Sequence, residues 1–176
     1  MKPKTLKRKT VEFMVNHLLA GTKFFEMKRR LLISIGYVIG EKTKVVGPLY
    51  CTGTLKIGDN CWIGRNLTVH GNGSVNIGDR CDIAPDVVFI TGGHRIGDNA
   101  RRAGQGEHYC ITIGNGVWLG ARATILMNTT VADGCVVAAC ACVNKSVLPN
   151  MLVAGVPARI VRNLESEDHN AKMDKK

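Results

Sequence analysis

Ile, Val or Leu recurs every sixth residue through much of the chain. The clearest run is Ile113, Leu119, Ile125, Val131, Val137 and Val143. A small or apolar residue follows each of these by four, at Val117, Ala123, Thr129, Cys135, Ala141 and Val147. Upstream the spacing appears as Ile57, Ile63, Val69 and Val75, then as Ile77, Ile83 and Phe89 after a slip of two residues. Neither a helix nor a hairpin sheet has a period of six, so the pattern predicts a solenoid. Each hexad joins a short alternating strand to a tight corner. Ile57-Gly58-Asp59-Asn60, Ile63-Gly64-Arg65-Asn66, Ile77-Gly78-Asp79-Arg80, Ile113-Gly114-Asn115-Gly116 and Val131-Ala132-Asp133-Gly134 put turn-tolerant residues directly after the inward aliphatic. Three hexads make one coil. About seven coils stacked ~4.8 Å apart would form a prism some ~30 Å long. One coil cannot bury its own aliphatics, so the repeat must be iterated.

Between Phe89 and Ile113 the register allows four hexads, yet residues 95–110 are polar and lack the repeat. They read as an extruded loop, with His94 closing the last regular hexad before it. The chain divides into a basic amphipathic helical segment over 1–38, the solenoid over 39–160 and a charged tail over 161–176.

Composition agrees with a narrow aliphatic prism, since only 5% of the residues are aromatic. The seven cysteines include no CxxC pair. Cys61, Cys81 and Cys135 occupy the small inward place of their hexads and read as buried, reduced thiols, which points to the cytoplasm. Cys140 and Cys142 share one strand face, but two ligands make no metal site, and none is expected. The net charge of +10 is concentrated at the ends, with Lys2, Lys4, Lys7, Arg8 and Lys9 followed by Lys23, Lys28, Arg29 and Arg30. Val11, Met14, Leu18 and Leu19, then Phe24, Phe25, Met27, Leu31 and Leu32, fall at helical spacing and predict one or two helices able to cap the solenoid. The basic face is either solvated or a peripheral contact with the anionic inner face of a membrane. Nucleic-acid binding lacks the interleaved aromatics or motif that would support it. The first apolar stretch is interrupted by Glu12, Asn16 and His17, and the next, 31–40, is too short to span a bilayer.

Thr91-Gly92-Gly93-His94, Ile113-Gly114-Asn115-Gly116-Val117-Trp118-Leu119-Gly120 and Val153-Ala154-Gly155-Val156-Pro157-Ala158-Arg159 together resemble the hexapeptide-repeat acyltransferases, over about residues 40–163. The resemblance is to the maltose, galactoside and nodulation-factor O-acetyltransferase branch and to enzymes that acetylate capsular, colanic or O-antigen sugars. It implies a mainly β fold, a left-handed parallel β-helix, assembled as a homotrimer with active sites between subunits. The left hand comes from the family alone, because parallel crossovers are normally right-handed.

The resemblance further implies acetyl-CoA as cosubstrate, no metal, and a sugar acceptor, in particular a surface-polysaccharide precursor. A hydroxyl is a poor nucleophile until its proton is being removed, and by resemblance His94 is the base that removes it. Trp118, Ala121 and Ala139 match positions that line the coenzyme's thiol end and pantetheine arm, while Lys145, Arg159 and Arg162 match its phosphate grip. His70, Asn72, Asp98, Arg101, Arg102 and Glu107 are the candidates for the acceptor. Asn72 departs from the aspartate of galactoside-type members, and Arg101-Arg102-Ala103-Gly104 favours the polysaccharide subclass. A streptogramin- or chloramphenicol-type antibiotic acetyltransferase and a non-catalytic hexapeptide scaffold are the alternatives. A γ-type carbonic anhydrase would require a histidine spacing that His70, His94 and His108 do not have.

Overall fold

In the computed structural model, which describes residues 6–165, the six-residue period becomes three parallel sheets wound into a prism. The first coil comprises β1 (Val38–Ile39), β2 (Lys44–Val45) and β3 (Leu49–Cys51). The second is β4 (Thr54–Ile57), β5 (Trp62–Ile63) and β6 (Leu67–His70), and the third is β7 (Ser74–Ile77), β8 (Asp82–Ile83) and β9 (Val88–Ile90). A hairpin of β10 (Gly92–Ile96) and β11 (Ala103–His108) then leaves the prism. The fourth coil resumes with β12 (Cys110–Ile113), β13 (Trp118–Leu119) and β14 (Thr124–Ile125), and the fifth is β15 (Thr130–Val131), β16 (Val136–Val137) and β17 (Cys142–Val143). β18 (Met151–Ala154) continues the stack, and β19 (Arg159–Asn163) returns antiparallel to it.

The first face stacks β1, β4, β7, β12 and β15; the second β2, β5, β8, β13, β16 and β18; the third β3, β6, β9, β14 and β17. Five coils and part of a sixth therefore replace the seven expected. The shortfall arises because seven is the count when all of 39–160 is wound into the prism, whereas the hairpin takes its residues out of it. β19 also takes up the first residues of the stretch expected to be a charged tail, whereas 166–176 lie outside the described residues.

The period works because the third residue after an inward aliphatic adopts a left-handed conformation. Asn60, Asn66, Arg80, Asp86, Arg122, Asn128 and Cys140 all do so, with φ between 54° and 62°. At the corner between first and second faces, side chains of successive coils form a ladder. The Oδ1 atoms of Asp59, Asp79, Asn115 and Asp133 accept hydrogen bonds from the amides of Glu41, Asp59, Asp79 and Asn115 at 2.6 to 2.9 Å. These bonds from Asn115 hold the Asp133 carboxyl below the usual carboxylate range. Inside, Ile63, Ile83, Phe89, Leu119, Ile125, Val131 and Val137 are wholly buried. Cys61, Cys81 and Cys135 are buried free thiols whose Sγ atoms donate to carbonyls of Gly78, Gly114 and Leu148.

Upstream of Ile113 the two interruptions of the period fall at one corner, between the third and first faces. Ile39 pairs with Ile57 eighteen residues on, but Ile57 pairs with Ile77 after twenty and Ile77 with Ile113 after thirty-six. The two-residue slip thus sits directly beneath the root of the hairpin. Gly71 is required there: its φ is +93°, and a Cβ on it would lie 2.4 Å from the amide nitrogen of Gly92.

At the other end α1 (Leu6–Phe13) continues into a π-turn over Met14–Leu18 and is followed by α2 (Phe25–Ile33). Val11, Val15 and Leu32 bury their side chains in the same core as the solenoid aliphatics. Asn16 mimics a strand by exchanging two 3.0 Å bonds with the backbone of Leu49. The expectation of a uniformly solvated basic face fails at Lys28, which is 0% exposed. Its Nζ donates to the carbonyls of Gly21 and Val46 at 2.6 and 2.9 Å and lies 4.8 Å from the Phe25 ring centroid. The segment needs a long donor there because two carbonyls face inward where helix meets solenoid. No helix among the described residues is long and apolar enough to cross a membrane.

Candidate functional site

His94 lies inside β10, so it belongs to the hairpin and does not close a regular hexad. The last buried position before the hairpin is Thr91, whose amide and hydroxyl both donate to the carbonyl of His70, at 2.8 and 2.9 Å. The amide of Tyr109 donates to Thr91 at 2.8 Å, which closes the hairpin root onto the prism. β10 pairs with β11 through Gly92 with His108, Gly93 with Glu107 and His94 with Gly106, and a bulge follows between His94 and Ile96. That bulge turns the imidazole so that Nδ1 lies 2.8 Å from the carbonyl oxygen of Gly104. A carbonyl only accepts, so the neutral ring carries its proton on Nδ1 and its lone pair on Nε2. The exposed ring is thereby set up as a base.

The acceptor candidates in the hairpin have other partners. Glu107 binds Arg95 through Oε1 and the Tyr109 hydroxyl through Oε2. The Tyr109 hydrogen bond and then the Arg95 guanidinium hold its carboxyl below the ordinary range. Glu107 therefore braces the strand that carries His94 against the tyrosine at the hairpin root. Asp98 Oδ1 accepts the amides of Ala100 and Arg101 at 3.0 and 3.1 Å and shapes the tip of the turn. Arg102 reaches the carbonyl of Gly97 at 3.2 Å. The side chain of Arg101 is exposed at the same tip. His70 ends β6, and both its side chain and that of Asn72 are exposed at the corner beneath the hairpin root.

The coenzyme candidates lie elsewhere. Ala121 and Ala139 occupy the same place on successive coils, two residues after Leu119 and Val137, at the corner between second and third faces. The equivalent place in the corner of the first and second faces carries the Asp and Asn ladder, which caps the amides. Ala121 and Ala139 have no such side chain, and their amides find no acceptor among the described residues, although the carbonyl of Ala121 accepts the amide of Cys140 at 2.9 Å. The result is a pair of unsatisfied N–H groups about one strand spacing apart, ~4.8 Å, beside methyl side chains that let a thin ligand lie close. Farther along, Lys145 and Arg159 line one groove of about 490 Å³ with Val147, Leu148 and Ile160. Arg162 stands opposite Leu152 on the strand that edges it. Trp118 is 55% exposed, so it is no packing anchor.

One chain does not gather these parts. His94 projects from the corner between third and first faces, while Trp118 stands on the second face, which is the side of the prism opposite that corner. Two neighbours of these residues escaped the reading of the sequence: the Gly104 carbonyl beside His94, and Trp62, which lines a groove with Trp118. The carbonyl of Gly104 is backbone and leaves no compositional trace. Trp62, 36% exposed, was legible in principle, because it precedes the inward Ile63 as Trp118 precedes Leu119.

A family model described as the hexapeptide repeat of succinyl-transferase matches residues 54–88 and 110–145. The galactoside O-acetyltransferase of Escherichia coli K12 is 33% identical over 167 residues, covering 94% of this chain and 81% of that protein. Among solved structures, a galactoside acetyltransferase in complex with coenzyme A superposes with a TM-score of 0.80 at 31% identity, covering 94% of this chain and 83% of the other. A Vibrio cholerae hexapeptide-repeat acetyltransferase complexed with acetyl coenzyme A gives a TM-score of 0.78 at 29% identity, with coverage of 90% and 85%.

Proposed function

Since this chain belongs to the hexapeptide-repeat acyltransferase family, in its galactoside and maltose O-acetyltransferase branch, we propose that it acetylates a sugar hydroxyl with His94 as general base. It is an acetyl-CoA-dependent acyltransferase. The observation that carries the catalytic reading is the hydrogen bond from His94 Nδ1 to the Gly104 carbonyl, which leaves Nε2 free to take a proton.

Acetyl-CoA supplies an activated thioester carbonyl. Around it, the free amides of Ala121 and Ala139 bond the two amide groups of the pantetheine arm, and Lys145, Arg159 and Arg162 meet the phosphates with charge-assisted hydrogen bonds. His94 Nε2 takes the proton of the attacking hydroxyl, holds it while the acetyl group moves, and returns it to the departing sulfur. Backbone N–H groups in the groove stabilise the negative charge on the carbonyl oxygen during transfer.

Because His94 and Trp118 lie on opposite sides of one prism, the hairpin of one subunit must cover the second face of a neighbour. A homotrimer supplies three such pairings, with each acceptor bound between subunits. The acceptor is a sugar of the kind used to build a surface polysaccharide. Purified protein should acetylate members of a panel of glycosides and sugar precursors with acetyl-CoA. It should sediment as a trimer, and His94→Ala should bind coenzyme while losing about 10²- to 10⁴-fold in turnover. Turnover of that variant within about tenfold of wild type would remove His94 from the role of base.

A further inference from the structure

The outward positions of the second face form an ordered series. Lys44 pairs with Trp62, Trp62 with Asp82, and Asp82 with Trp118, each on the next strand of the stack. Two grooves run along this series and merge at Trp62 and Asp82. One, of about 520 Å³, is lined by Lys42, Lys44, Asn60 and Trp62; the other, of about 430 Å³, lies among Trp62, Ala84, Pro85 and Trp118. Phe25 of α2 backs the first indole edge-on, its ring centroid 5.6 Å from that of Trp62.

The chemistry along this channel is polarised. At one end are two ammonium groups, Lys42 and Lys44, that form no ion pair among the described residues. An indole face follows, then the carboxylate of Asp82, then the second indole. An indole suits the apolar C–H face of a pyranose, and a carboxylate accepts hydrogen bonds from sugar hydroxyls. Neither requires a cation. The paired lysines call for an anionic group joined to the sugar, and Asp82 repels such a group from the Trp118 end. Three strand spacings separate Lys44 from Trp118, ~14 Å in all. That accommodates one hexose with a phosphoryl group on one side and a reacting hydroxyl on the other.

We propose that this channel is the acceptor site and that it selects a phosphorylated sugar, with Lys42 and Lys44 holding the phosphoryl group and Trp62 and Asp82 the ring. The inference rests on the sugar O-acetyltransferase reading and narrows its substrate class. The phosphoryl group belongs either to a free sugar phosphate or to a nucleotide-linked sugar.

The only two tryptophans of the chain both line the channel, so intrinsic fluorescence reports its occupancy. The full-length protein is titrated at low salt with glucose 1-phosphate, UDP-glucose and methyl glucoside. Either phosphorylated probe should bind about ten- to a hundredfold more tightly than methyl glucoside, the gain expected when charged donors meet phosphate. A Lys42→Gln/Lys44→Gln double variant, altered only at exposed positions, should bind all three probes at the methyl glucoside level. Tighter binding of UDP-glucose than of glucose 1-phosphate identifies a nucleotide-linked acceptor, and the reverse identifies a free sugar phosphate. Equal binding of charged and neutral probes overturns the proposal, as does a preference that survives in the double variant or an absence of quenching by both phosphorylated probes. Because the readout is binding, a failure to acetylate any sugar would count against the catalytic reading and leave this one to be decided by the titration.

Discussion

The imidazole of His94 is held by the backbone carbonyl of Gly104, 2.8 Å from Nδ1 and ten residues along the chain. The bond crosses the hairpin, so the orientation of the ring depends on the pairing of β10 with β11. An asparagine amide can make the same bond from a similar position but cannot act as a base. His94→Asn should therefore fold with an unchanged melting temperature and retain acetyl-CoA binding. Its turnover should be about 10²- to 10⁴-fold lower, as steady-state kinetics beside a thermal melt would establish.

Glu107 links Arg95, next to His94, with Tyr109 at the hairpin root. Removing one arm of this brace loosens the strand that carries the base and leaves the coenzyme groove alone. Tyr109→Phe should lower kcat about tenfold, the effect of misplacing a reacting group by a fraction of an ångström, with the KM for acetyl-CoA unchanged. A parallel rise in the KM for acetyl-CoA would place the tyrosine in coenzyme binding instead.

The corner that carries Ala121 and Ala139 already holds a proline one coil earlier, Pro85, whose carbonyl accepts the amide of Arg122 at 3.0 Å. The backbone there tolerates proline, so Ala139→Pro deletes one N–H with little strain. The variant should melt like wild type and show a KM for acetyl-CoA raised about five- to tenfold, the worth of one hydrogen bond. An unchanged KM would mean that the free amides of this corner do not meet the coenzyme.

Burial pushes the Lys28 ammonium down to about 8 from an ordinary value of 10.5. Between those limits the unfolded chain binds more protons at this site than the folded one does, so the contribution of Lys28 makes stability rise as pH climbs through the window. A neutral amine still donates to Gly21 and Val46. Denaturant midpoints measured between pH 7.5 and pH 10.5 should therefore show a rise in wild type that Lys28→Met lacks, on top of a lower stability for the variant throughout. Identical pH slopes would mean that Lys28 titrates as an exposed lysine.

Much of the fold was legible because its signal is local. An inward aliphatic, a tight corner and a left-handed residue three places on recur in most hexads, as in Ile57 to Asn60 and Ile63 to Asn66. The slip before Ile77 and the polar stretch before Ile113 were equally visible. What spacing could not give was how many residues leave the prism, because an insertion of whole hexads keeps the register of Phe89 and Ile113 intact. Of the candidate site, His94 could be picked out by its motif, whereas the bonds of Glu107 to Arg95 and Tyr109 and of Asp98 to the turn amides are visible only in the folded hairpin.

The sequence by itself determined a solenoid of aliphatic hexads, the place of its interruption and the family motifs around it, since each depends on neighbours within a few residues. Only the tertiary structure decided that the slip and the hairpin share one corner, that Lys28 is buried beneath α2, that Gly104 orients His94, and that Lys44, Trp62, Asp82 and Trp118 form one channel. The physical reason is stacking. Coils place side chains eighteen to thirty-six residues apart at a single strand spacing, and the pairing of those strands decides which side chains meet.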